Sequence, residues 1–128
     1  MDKKITLTAL VFGFVSIVLG AFGAHTLKKI LEVDQLSSFE TGVKFMMYHA
    51  LFLLFIATNQ LIDSKQKKII YSLVLFGTIL FSFSIFLLTT TAITGINFKF
   101  VGPITPIGGL FLIFSWGVTF YYIVVKKS

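Results

Sequence analysis

Four long stretches without an ionisable acid or lysine dominate this chain, from Ile5 to Leu27, Phe45 to Ile62, Ile69 to Phe98 and Phe100 to Val125. Each supplies the roughly 20 apolar residues needed to cross a hydrocarbon core. In lipid no water is available to the backbone, so N–H and C=O groups must pair within the segment, and an open chain of this kind becomes helical. The alternating ten-residue pattern of a membrane barrel is absent. Only 12% of the residues are charged, against about 25% in soluble domains. The chain therefore reads as an all-α integral membrane protein, a single domain over residues 1–128 with helices at about 5–25, 38–62, 69–91 and 105–125.

All eleven basic residues are lysines, and they cluster at the ends of the apolar runs. That placement points to lipid headgroups and orientation rather than to nucleic acid. Lys3, Lys4, Lys65, Lys67, Lys68, Lys126 and Lys127 fall on one side, and Lys28, Lys29, Lys44 and Lys99 on the other. The positive-inside rule then puts both termini in the cytoplasm of a cell whose inner membrane holds the protein. The first span shares small residues with a cleavable signal, but its apolar stretch exceeds the roughly 7–15 residues of a signal core, so a retained span is expected.

Between the first two spans, Leu27, Ile30 and Leu31 beside Lys28 and Lys29 suggest a short amphipathic helix lying in the interface. Ser37 and Glu40 have capping-box spacing and place a helix start there, and Glu40 with Lys44 forms a favourable i,i+4 pair. At the fourth span, Thr105 is a natural N-cap and Pro106 an N1 proline. The plain reading is a sharp helix start; the functional one is an anion or headgroup docked at the positive helix end.

On the first helix Ala9, Gly13, Ser16, Gly20, Gly23 and Ala24 share one face, and small residues of that kind let helices approach closely in lipid. The partner is another helix of this chain or one of a second copy. Tyr71, Thr78, Ser82 and Thr89 align on the third helix, either as a polar path or as hydroxyls that satisfy helix carbonyls. Gly108, Ser115 and Thr119 make a weaker stripe on the fourth.

His49 lies six residues past Val43, about 9 Å into the membrane at 1.5 Å per residue, and an ionisable group at that depth is a functional hypothesis with a partner to be named. His25, at the end of the first helix, is the evident candidate, with an axial offset of about 6 Å if both helices begin at their apolar edges. A hydrogen-bonded structural histidine is the alternative. Two histidines make no tetrahedral metal site without further ligands. Met46 and Met47 would admit Cu(I), and paired histidines a haem, but neither signal is specific. No cofactor is implied. With no nucleophile elbow, phosphate loop or catalytic carboxylate pair, the chain does not read as an enzyme.

Gly20-Ala21-Phe22-Gly23-Ala24-His25, Phe39-x-Thr41-Gly42-Val43 leading to Tyr48-His49-Ala50-Leu51, and Thr105-Pro106-Ile107-Gly108-Gly109 leading to Trp116 resemble the small membrane proteins grouped as "domain of unknown function 423". The resemblance covers nearly the whole chain. It implies a four-helix protein of bacterial inner membranes with no established activity, and its recurrent pieces fall on His25, Tyr48, His49 and the Thr105–Gly109 turn. Phe45-Met46 stands where the family usually has Tyr-Gln, and Ser115 where a glycine commonly precedes the tryptophan.

The expected function is a non-enzymatic module that binds lipid or a small ligand, or that serves a larger membrane complex as an accessory subunit. Membrane lipids are the expected partners, with a membrane protein or a second copy left open. The alternative is histidine-dependent proton or solute permeation through an outer half-cavity. Candidate ligand residues are His25, Tyr48, His49, Ser82, Thr105, Gly108 and Gly109, with Gly13, Ser16, Gly20, Gly23 and Ala24 as packing residues and Pro106 and Trp116 as structural ones.

Overall fold

The computed structural model describes residues 2–127. Its elements are helical: α1 (Asp2–His25), α2 (Val33–Thr58), a third span built from α3 (Ser64–Thr78), a π segment (Ile79–Phe83) and α4 (Ser84–Thr89), then a short α5 (Thr91–Thr94) and α6 (Ile104–Val124). Four helical stretches, Asp2–Lys29, Val33–Thr58, Ser64–Thr89 and Lys99–Val124, are long and apolar enough to cross a membrane. The all-helical membrane architecture read from the sequence is therefore present.

The helix ends differ from expectation, and each difference has a local cause. α2 begins five residues before the expected boundary because Glu32 and Gln35, not Ser37 and Glu40, form the capping box. An earlier box brings Leu36 and Phe39 onto the packing face of one continuous helix. The interfacial helix expected between the first two spans is a single 3-10 turn, Leu27–Lys29. Leu27 and Leu31 are buried in the core while Ile30 is exposed, so this turn is an anchored connection rather than a surface helix. Asp63 caps α3 by accepting from Gln66 N at 2.8 Å, with Gln66 Oε1 returning to Asp63 N at 3.1 Å. That cap draws Lys65 to Lys68, expected in a turn, into the first helical turns. Gln60, eleven residues after His49 and so at the spacing of the same helical face, lies in the turn beyond the end of α2.

α1 packs on α2 antiparallel. Gly13 faces Ala50, Gly20 faces Val43 and Gly23 faces Phe39. The small-residue face is thus used within this chain, with Ala9, Ser16 and Gly23 buried, although Ala24 is exposed. The third span packs on α2 and on α6. Ser82 Oγ donates to the Gly42 carbonyl at 2.8 Å, and Phe39 and Phe86 meet with ring centroids 5.0 Å apart.

The tightest glycine contact is between the third span and α6. A π turn carries one extra residue per turn, and here the widened backbone at Leu80 and Phe81 bulges toward α6. Gly108 meets that bulge: a Cβ there would press on Phe81 N and lie 2.7 Å from Leu80 C and 2.9 Å from Gly77 O. Gly77 in turn receives Leu112, whose Cδ2 would be 2.8 Å from an added Cβ.

At the end of the bundle that holds both termini, Lys67 is buried and fastens three segments. Its Nζ donates to Asp2 Oδ1 at 3.1 Å and to the Ala57 carbonyl at 3.0 Å. Ala57 lies in the last turn of α2, where carbonyls lack helical partners and a cation is favoured. Thr8 and Tyr71 share a 2.8 Å hydroxyl contact one turn deeper. The expected Glu40–Lys44 pair does not form; among the described residues Lys67–Asp2 is the one ion pair.

Candidate functional site

The sequence directs attention to His49, and the structure supplies its partners. Both ring nitrogens are engaged. Trp116 Nε1 donates to His49 Nε2 at 3.0 Å, and His49 Nδ1 lies 2.7 Å from the Phe45 carbonyl. An indole nitrogen only donates, so Nε2 must accept, the proton must sit on Nδ1, and Nδ1 donates to Phe45. This is a neutral imidazole with its hydrogen-bonding capacity filled. Phe52 stacks on Trp116 at 4.1 Å and meets the His49 edge, closing the pair from below.

His25 is not part of this arrangement. The α1–α2 register sets Gly13 level with Ala50 and Gly23 level with Phe39, so His49 is level with about Phe14 and His25 with about Ser38. Eleven helical residues separate the two levels, about 16 Å along the axis. The offset of about 6 Å expected from the apolar edges fails because α2 starts at Val33, well before its apolar edge, so that Val43 is level with Gly20 rather than with the end of α1. His49 lies near the middle of the spans, and His25 is exposed at the end of α1.

The other candidates divide among three places. Tyr48 points outward, half exposed, its ring against Phe45. Gly109 and Trp116 line an apolar notch of about 320 Å³ with Phe45, His49, Phe81 and Leu112. The notch exists because α2 and α6 are bridged here by long side chains rather than by close backbone contact. Ser82 is fully buried on Gly42, and Gly108 is fully committed to packing. The aligned hydroxyls of the third span do not form a path. Tyr71 pairs with Thr8, Ser82 with α2, and Thr89 Oγ1 with its own helix at Ile85 O, while Thr78 Oγ1 is buried with no partner among the described residues.

Thr105 behaves differently from the N-cap expected. α6 starts at Ile104 with Pro103 in the capping position, and the Thr105 hydroxyl pairs instead with Ser84 Oγ of α4. The 3-10 turn at Lys99–Val101 delivers the chain so that Thr105 N finds the Gly102 carbonyl at 3.3 Å, leaving the side chain free to cross to α4. Beside Thr105 opens a cavity of about 450 Å³, lined by Ser38, Thr41, Ile85, Leu88, Thr89 and Thr105 with Gly102 and Pro106. Its walls are mostly apolar and its polar atoms are all hydroxyls or backbone. Thr41 and Thr89 spend their protons on Ser37 O and Ile85 O, so they offer oxygens as acceptors. No charged side chain lines it.

The residues at this crevice and at His49 sit within a wider match. The profile of the family described as "Protein of unknown function (DUF423)" matches residues 19–109. The chain belongs to this family. The DUF423 match runs from the last turns of α1 to the first turns of α6 and takes in the crevice, His25, Tyr48, His49 and Ser82, while Trp116 lies beyond it. The chain is similar to a UPF0382 membrane protein of Haemophilus influenzae, 39% identical over 115 residues, covering 90% of this chain and 88% of that protein. It is similar to the UPF0382 membrane protein YwdK of Bacillus subtilis, 38% identical over 100 residues and 77% of each chain. The UPF0382 inner membrane protein YgdD of Escherichia coli is 30% identical over 116 residues, 86% of this chain and 81% of that one. No solved structure matches.

Sequence reasoning missed two features. Trp116 was expected to be structural, and its role as the His49 donor was not foreseen. The signal was present: the chain has one tryptophan, and an indole N–H inside lipid requires an acceptor. The second is the Ser84–Thr105 pair, whose members are ordinary hydroxyls 21 positions apart.

Proposed function

We propose that this protein is a non-enzymatic membrane module that holds an amphiphile with an uncharged polar head in the crevice between α2, α4 and α6. The observation that carries this reading is the crevice itself, about 450 Å³ of apolar wall with hydroxyl oxygens at Ser38, Thr41, Thr89 and Thr105. Its volume falls in the range of ordinary ligand sites. Its lining has no lysine or carboxylate to select a charged head, and its acceptor oxygens favour a ligand that brings hydroxyl or amide donors. The crevice opens at the end away from both termini. With the lysine excess at the terminal end, we place that end in the cytoplasm of a cell membrane and the crevice at the outer face. An accessory role in a larger membrane complex is the broader form of the same reading, with the amphiphile as a shared ligand.

Histidine-dependent permeation draws less support. The two histidines are about 16 Å apart along the axis, and both nitrogens of His49 are already bonded.

The test is photo-crosslinking in membranes with a diazirine-tailed neutral lipid, followed by peptide mapping. Labelling should concentrate on Ile85, Leu88 and Pro106. Ser38→Trp, which fills the mouth of the crevice from an exposed position, should lower it about tenfold, the effect of losing about 1.4 kcal/mol of binding. Uniform labelling of all lipid-facing residues, unchanged by Ser38→Trp, would refute the proposal. Because the chain has no cysteine, a single introduced cysteine at Ser128 or Asn97 reports orientation by membrane-impermeant labelling. Labelling of the Ser128 position from outside intact cells would reverse the assignment.

A further inference from the structure

At the terminal end of the bundle, independently of the crevice, hydrogen-bond donors exceed acceptors around a second cavity. About 390 Å³ in volume, it is lined by Asp2, Lys3, Ser64 and Lys67. Lys67 is 7% exposed, and burying an ammonium is costly unless its bonds are filled. An ammonium has three N–H donors; two go to Asp2 and Ala57, and the third has no partner among the described residues. Lys3 brings a second ammonium to the same cavity with no carboxylate paired to it. Ser64 opens α3, and neither its hydroxyl nor its amide has a partner among the described residues, since the cap from Asp63 goes to Gln66 N. Asp2 is the one anion in the lining, and its Oδ1 already accepts from Lys67.

We infer that this cavity binds the phosphodiester of an anionic phospholipid. A phosphate oxygen supplies the acceptors that Lys67, Lys3 and Ser64 lack, and charge-assisted bonds of this kind are the strong ones. The carboxylate of Asp2 keeps Lys67 compensated when the cavity is empty and limits the net charge the ligand must offset to that of Lys3. The setting selects a lipid over a free anion. The cavity sits at the first turns of α1 and α3, the ends of two stretches long and apolar enough to span a membrane, and this end carries seven lysines against Asp2 and Asp63. At the opposite end Lys28, Lys29, Lys44 and Lys99 face Glu32, Asp34 and Glu40, and no comparable excess arises. Lysines at headgroup level attract anionic lipid, and the cavity gives that attraction a defined seat.

The experiment is native mass spectrometry of the full chain from mild detergent, with added phosphatidylglycerol, phosphatidylcholine or inorganic phosphate. One phosphatidylglycerol should remain bound at activation energies that strip phosphatidylcholine, and inorganic phosphate should leave no adduct. Lys3→Gln should weaken retention about fivefold, the loss expected for one headgroup-level lysine, and Lys3→Gln with Ser64→Ala further still. Both positions are exposed, so the fold should persist, which helicity and melting check. Lys126→Gln removes the same charge from the same end but outside the cavity and should leave retention unchanged. Equal loss in Lys126→Gln, full retention in the double variant, or an equally stable phosphate adduct would each overturn the inference.

Discussion

Two glycine seams hold the spans together, and they are built to different tolerances. Along α1 and α2, an added Cβ would lie 3.9 Å from Ala50 at Gly13 and 3.6 Å from Val43 at Gly20, tightening to 3.2 Å from Phe39 only at Gly23. Along the third span and α6, Gly77 and Gly108 leave no room at all, and at Gly108 the neighbour is backbone. The seam that stands out in the sequence as a stripe of small residues is the looser one. The tighter seam rests on Gly77, which no stripe announces, and on Gly108, which belongs only to the weaker stripe of α6. In lipid, helix association depends on van der Waals packing rather than on water release, so the seam with backbone contact should carry more of the stability.

The largest effect follows directly. Gly108→Ala should destabilise the fold by about 3 kcal/mol, the upper part of the range for overpacking, because a peptide backbone cannot turn aside as a side chain can. Gly77→Ala should cost somewhat less, since part of its obstruction is the Leu112 side chain, whose Cδ2 would be 2.8 Å away. Reversible denaturation in mixed micelles, followed by helicity, measures both. A cost under about 0.5 kcal/mol at Gly108, the scatter of ordinary surface changes, would break the comparison.

What the sequence made legible was what composition and periodicity control. Four uncharged stretches determine four helices, because lipid leaves the backbone no other partner. The small face of α1 identifies its packing side by the same logic. The unread features depend on which helices adjoin. Ser37 and Glu40 fit the usual capping-box pattern better than Glu32 and Gln35 do, yet the earlier pair forms the box and the helix runs unbroken through Ser37. Thr105 has the chemistry of a cap, and only the position of α4 makes Ser84 its partner. His49 was matched to the other histidine because both are ionisable. Its actual partner required knowing that α2 and α6 run side by side in parallel, with Ser38 and Thr105 in one crevice and His49 and Trp116 bonded eleven residues further along each.

The next effect in size belongs to that pair, which joins α2 to α6 where neither seam reaches. Trp116→Phe removes the donor to His49 Nε2 and should cost about 1 kcal/mol, in line with interhelical hydrogen bonds measured in lipid. The double change His49→Phe with Trp116→Phe should cost less than the sum of the single changes, because it removes the unsatisfied nitrogen as well. The sole tryptophan also reports on the bond directly: His49→Phe should shift its emission to shorter wavelength as the indole loses a polar partner. Strict additivity of the two changes, with unchanged emission, would mean that the contact contributes nothing.

The smallest effect sharpens the comparison most. Gly13→Ala places a methyl group at ordinary contact distance from Ala50, so no neighbour has to move. In water the exchange would also gain about 1 kcal/mol from helix propensity. In a bilayer the separated helix is already hydrogen-bonded throughout, and most of that gain disappears from the difference. The expected result is a change within about 0.5 kcal/mol of zero, measured in the same micelle titration as Gly108→Ala. If Gly13→Ala proved as damaging as Gly108→Ala, the α1–α2 seam would have to be tighter than its distances indicate, and the ranking of the two seams would collapse.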